Sequence, residues 1–206
     1  MNALTSELLV ATRNAGKLRE VRSLLSDLPI HLLSLSEFPA TTEVEETGET
    51  FAENAALKAK VYATQTGRLT LADDSGLEVD ALGGAPGVFS ARYAGAGASD
   101  AERNARLLAE LARSADTSRL ARFICCIAIA DAEANIVNIS TGICQGHIAN
   151  EPRGANGFGY DPLFIPDGHA QTFGELSQEI KQQLSHRARA LVNARAFLLE
   201  HFRRSN

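Results

Sequence analysis

The chain has 206 residues, 45% hydrophobic and 22% charged, the proportions of an ordinary globular protein. A formal net charge of −5 argues against broad, non-specific nucleic-acid binding, and no apolar run approaches the ~20 residues that a bilayer span requires. Three cysteines without a CxxC pair suit a reducing compartment and speak against a structural zinc site; with no basic leader or signal core, the expected location is cytoplasmic. One domain is expected, with room for two lobes around a cleft.

Leu8 to Ala11 reads as a buried strand. It is followed by the polar run Thr12-Arg13-Asn14-Ala15-Gly16-Lys17, and then by Leu18, Val21, Leu24, Leu25 and Leu28 at helical spacing. Strand, small polar loop and helix aim backbone N–H groups and a helix N-terminus at an anion. Thr12 and Asn14 can hydrogen-bond phosphate oxygens and Lys17 adds a positive charge, although the Walker spacing is absent. The plainer reading makes Asn14 a helix cap and Lys17 a solvated side chain. Ile30 to Leu35 reads as a second strand. The acids Glu43, Glu45 and Glu46 come next, either as metal ligands or as a solvated loop. Thr50 and Glu53 have capping-box spacing and open a helix to about Thr66.

The centre of the chain is LADDSGLEVDALGGAPGVFSARYAG, from Leu71 to Gly95. A short strand ending in Asp73 and Asp74 at a Ser75-Gly76 turn can hold a divalent cation beside a phosphate. Neighbouring strand residues face opposite ways, so one aspartate is expected to serve the chemistry and the other the turn. Leu77-Glu78-Val79 alternates as a second short strand. Ser99 and Glu102 form another capping pair before a helix carrying Leu107, Leu108 and Leu111.

Arg122–Ala130 and Ile136–Ile148 read as successive strands joined by a turn, with Cys125 and Cys126 as packing residues. RGANGFGYDPLFIP then offers a glycine loop presenting Phe158 and Tyr160. Phe158 suits stacking on a base, and Asp161 fixes the turn with Pro162. A final amphipathic helix carries Leu191, Ala194, Phe197, Leu198 and Phe202. Ser185 stands at its cap, with His186 and Arg187 in its first turn. Cations there oppose the helix dipole, a cost that an anionic partner offsets.

The segments TRNAGKLREV, EETGETFAENAALKAK, LADDSGLEVDALGGAPGVFSARYAG, GFGYDPLF and LSHRARAL, in this order from Thr12 to Leu191, resemble the inosine/xanthosine triphosphate pyrophosphatase family. The resemblance implies an α/β fold, a mixed central sheet with helices on both faces and two lobes around a nucleotide-binding cleft. It also implies a homodimer and Mg²⁺-assisted hydrolysis of non-standard purine triphosphates to monophosphate and pyrophosphate. A nucleic-acid polymer or a membrane is not an implied partner.

By the same resemblance, Thr12, Arg13, Asn14, Ala15, Gly16 and Lys17 hold the triphosphate. Asp74 is the catalytic acid and a metal ligand, Glu45 is the second metal-side carboxylate, and Ser75 lies beside the substrate. Phe158, Gly159, Tyr160 and Asp161 form the base-side loop, and Lys181, His186 and Arg187 complete the nucleotide contacts. Arg13 and Ala155-Asn156 depart from the usual family residues. The expected mechanism has Asp74 orient or deprotonate a water for in-line attack at phosphorus. Donors such as Arg187 and Lys181 then select the carbonyl at purine position 6 over the amino group of adenine. The rival readings are a pyrophosphatase of different base preference and a non-catalytic nucleotide binder.

Overall fold

In the computed structural model, which describes residues 6–204, strand β1 (Ser6–Val10) leads through a four-residue loop into helix α1 (Ala15–Leu24). β2 (Ile30–Ser34), α2 (Phe51–Thr66), β3 (Thr70–Val79) and α3 (Asp100–Arg113) follow. The chain continues with β4 (Leu120–Ala130), β5 (Ile136–Ile148), β6 (Phe164–Pro166), α4 (Gln178–Leu184) and α5 (His186–Arg204). The six strands form one sheet in the order β2-β1-β3-β4-β5-β6. β1 is parallel to both β2 and β3, with Leu9 opposite Thr70, whereas β5 and β6 are antiparallel. The sheet is therefore mixed, as the expected fold class requires.

The capping boxes form as the spacing predicts. Thr50 accepts from the Glu53 amide while Glu53 reaches back to the Thr50 amide, and Gly67 closes α2 in the left-handed conformation. Ser99 and Glu102 repeat the arrangement at α3. The turn between β4 and β5 is closed by Asp131, whose carboxylate accepts from the Asn135 amide.

β3 corrects the sequence reading. The DDSG segment is not a turn between two short strands; one ten-residue strand runs through it, with only Ser75 and Glu78 less than fully buried. Turn-forming residues stay extended here because each aspartate finds a cationic partner, and those contacts outweigh local turn preference.

The chain divides into two compact units: one of residues up to Asp74, Cys125–Gly142 and those from Arg187 onward, the other of Ser75–Ile124 and Ile143–His186. In the first, Leu8 and Val10 of β1, Leu71 of β3 and Cys125, Ile127 and Ile129 of β4 pack against Val21 and Leu25 of α1 and Leu191, Ala194 and Leu198 of α5. In the second, Leu77, Leu107, Leu111, Phe123, Tyr160, Phe164 and Phe173 make a separate core, with Phe123 and Phe164 ring centroids 4.6 Å apart. Truncating a side chain as enclosed as Ile127 or Phe164 costs about 2–5 kcal/mol.

Candidate active site

In the first unit, the loop between β1 and α1 has the form an anion site needs. Asn14 caps α1, its Oδ1 accepting from the Lys17 amide at 3.0 Å, and Thr12 Oγ1 accepts from the Asn14 amide at 3.2 Å. The cap and the cation thus coexist at one helix start. Arg13 reaches away to the Thr41 carbonyl at 3.1 Å.

Asp73 and Asp74 face opposite ways and meet different cations. Asp73 lies 3.1 Å from Lys17 Nζ and 3.1 Å from the Arg187 guanidinium, which also pairs with Glu20 of α1. Asp73, Glu20 and Arg187 of this network are all buried. Burial alone raises the Asp73 pKa, but Lys17, Arg187 and Lys58 outweigh it and hold the carboxyl well below the usual range. Arg187 is likewise desolvated, yet Asp73 and Glu20 keep it firmly protonated. These carboxylates are the anionic partners that offset a cation in the first turn of α5. The guanidinium expected to read a purine is held by two acids in this structure.

On the other side of β3, Lys58 of α2 bridges Asp74 at 3.1 Å and Glu46 at 2.6 Å. Burial and the Glu46 charge raise the Asp74 pKa against the opposing pull of Lys58 and Lys17. Asp74 Oδ2 is buried and has no hydrogen-bond partner among the described residues. Glu45, expected as the second metal-side acid, is exposed, and its neighbour Glu46 is the acid tied into the site. Among the described residues no three metal-binding side chains cluster. Asp74 and Glu46, with one buried oxygen unused, are a donor set for a hard divalent cation that keeps waters and shares substrate phosphates instead of filling a protein cage.

In the second unit the GFGYD loop is wrapped around Asp161. Its Oδ2 accepts from the Phe158 amide at 2.8 Å and from Lys181 Nζ at 2.5 Å, and Lys181 lies 4.7 Å from the Phe158 ring centroid. Gly157 has φ +78°, and a Cβ there would fall 2.0 Å from Asp161 Oδ2, so the loop needs glycine at this point. α3 holds the loop's next glycine from both sides: the Gly159 amide donates to Asp100, and Asn104 donates to the Gly159 carbonyl. Tyr160 is buried with its hydroxyl on the Ser90 carbonyl, which makes it core and not a stacking surface. His186 is buried and stacks on Phe123 at 4.6 Å. Asn156, one of the unusual residues, ties the loop to the Leu176 carbonyl.

Sequence reasoning singled out the loop before α1, Asp74 and the GFGYD segment, chose Glu45 over Glu46 within the acidic run, and did not single out Lys58 or Glu20. Lys58 and Glu46 were visible only as charges around a helix start; their pairing depends on how β3 and α2 meet.

A parallel-stranded loop for an anion, a desolvated carboxylate at a lysine and a glycine-wrapped aromatic loop define a nucleotide-handling α/β protein. The chain belongs to the Ham1 family, whose model matches residues 8–197. It is 50% identical to a dITP/XTP pyrophosphatase of Desulforamulus reducens over 93% of this chain and 95% of that one. It is 52% identical to a protein of the same name from Geobacter sulfurreducens over 91% and 94%. Among solved structures, a HAM1 protein from Coxiella burnetii superposes with a TM-score of 0.87 at 46% identity, over 95% of this chain and all of that one.

Proposed function

We propose that Asp74 is the general base of a nucleoside-triphosphate pyrophosphatase acting on non-standard purine nucleotides. The protein is such an enzyme by its family and by relatives named dITP/XTP pyrophosphatases over nearly their whole length. The observation that carries the assignment of Asp74 is its raised pKa beside Lys58, with one oxygen unpartnered among the described residues. A carboxylate so placed is basic and keeps an acceptor oxygen that no side chain uses.

Thr12 to Lys17 receives the triphosphate on the amides at the start of α1, with Lys17 taking up charge on the leaving pyrophosphate. Lys58 keeps Asp74 pointed at its water while Glu46 holds Lys58. Asp74 with Glu45 and Glu46 holds Mg²⁺, which when bound neutralises phosphate charge. Ser75 lies next to the reacting phosphate. Phe158 and Gly159 meet the base, Tyr160 and Asp161 hold that loop in shape, and His186 lines the nucleotide through its stack on Phe123. Lys181 is the donor that reads the carbonyl at purine position 6, where the amino group of adenine leaves donor facing donor. Arg187 fixes Asp73, and through it Lys17, so its first duty is to position the phosphate cation. We assign the protein to the cytoplasm and to a homodimer, for which light scattering at micromolar concentration is the test.

The test of function is pyrophosphate release from inosine, xanthosine, guanosine and adenosine triphosphates, with and without Mg²⁺. Metal-dependent release from the first two is expected. Orthophosphate as the product would place attack at the terminal phosphorus and discard the mechanism.

A further inference from the structure

The second unit contains a cavity of about 310 Å³ lined by Arg119, His147, Glu151 and Arg153 among others, none of which belongs to the proposed nucleotide contacts. Its size is at the lower end of the range for small-molecule pockets. Arg119, just before β4, is locked in place: Nε donates to the Ile148 carbonyl at 2.6 Å and a terminal nitrogen to the Ala149 carbonyl at 2.5 Å. No carboxylate pairs with it among the described residues, and burial lowers its pKa with no acid opposing the shift. Arg153 donates to the Ala170 carbonyl at 3.1 Å and lies 3.6 Å from Glu175, but its Nε is buried without an acceptor among the described residues. His147, on β5 opposite Ile165 of β6, brings a third nitrogen donor to the wall.

The cavity thus collects donors from three chain segments, two of them guanidinium groups, against one lining acid. An uncompensated guanidinium and a buried N–H without an acceptor are both costly in a folded protein unless something accepts from them. The side-on edge of Arg119 is occupied by carbonyls, which leaves its end-on terminal nitrogens to meet a ligand. What fits is a tetrahedral group that accepts one bond from each of several directions.

We propose that this cavity is a binding site for a small oxyanion of the phosphate class, held by Arg119, His147 and Arg153. The proposal is independent of the triphosphate reading, because no residue is shared with it. Inorganic pyrophosphate, orthophosphate and citrate are the probes. The full-length protein is titrated with each while the His147 imidazole resonances, assigned with His147→Gln, are followed by NMR. A saturable shift with pyrophosphate or orthophosphate, and none with citrate, is expected. Arg153→Gln and Arg153→Lys both weaken it at least about tenfold, since the buried Nε–H is lost in either case. His147→Gln leaves kcat/KM for inosine triphosphate unchanged. The site is refuted if phosphates leave the His147 resonances in place, or if both Arg153 variants bind as the parent does. Citrate binding as tightly as pyrophosphate would overturn the class of ligand.

Discussion

Asp73 and Asp74 share a backbone and a chemistry, and their surroundings give them opposite duties. Asp73 is held ionised by Lys17, Arg187 and Lys58 against its own burial. Its folded pKa lies below the unfolded value of about 3.9, so its stabilisation is complete above that pH and fades as pH falls toward the folded value. Asp73→Asn is expected to cost about 3–5 kcal/mol at neutral pH, because Arg187 and Lys17 lose a buried partner. Denaturant titrations at neutral pH and near pH 3 should show the variant losing less on acidification than the parent. Asp74 is shifted upward by burial and by Glu46. A base must be ionised, so the acid limb of kcat/KM is expected above the ordinary carboxylate range. Glu46→Gln removes one cause and should move that limb to lower pH; an unmoved limb would take Asp74 out of the rate profile. Asp74→Asn should lose about a hundred- to ten-thousand-fold in kcat while still binding nucleotide.

At the level of elements, the loops act as clamps set by glycine and by helix caps. Gly157→Ala drives a Cβ into Asp161 and frees Lys181 from its seat. The expected result is a raised KM with the second-unit core intact, read by steady-state kinetics beside circular dichroism. Helix starts were legible in the sequence because a cap is local: Thr50 with Glu53 and Ser99 with Glu102 sit three residues apart. The loop from Thr12 to Lys17 and its Asn14 cap were legible for the same reason. The charge network was not, since Arg187 is 114 residues from Asp73 and 167 from Glu20, a distance no periodicity spans. The DDSG segment was misread because turn propensity is local while the partners that keep it extended are remote. Glu45 and Glu46 could not be told apart in the sequence; the position of Lys58 separates them.

Across the whole molecule, the two units have separate cores, and β3, β4 and β5 each contribute residues to both units. A non-hydrolysable inosine triphosphate analogue with Mg²⁺ should raise the stability by about 2.7 kcal/mol at a hundredfold excess over Kd, and the adenosine analogue by far less. Thermal melts in the two ligands check this, and equal shifts would remove base selection from the binding step. The opposed faces of β3 also bear on how this gene can change in length. Loss or gain of a single codon between Thr70 and Asp73 would rotate both acids together, handing Asp74 to Arg187 and Asp73 to Lys58. The chemistry would fail although every residue type survived. A codon added between Asp131 and Asn135, in the turn before β5, meets no such exchange. Length variation among working copies of this enzyme should therefore collect in that turn and be absent from the strand.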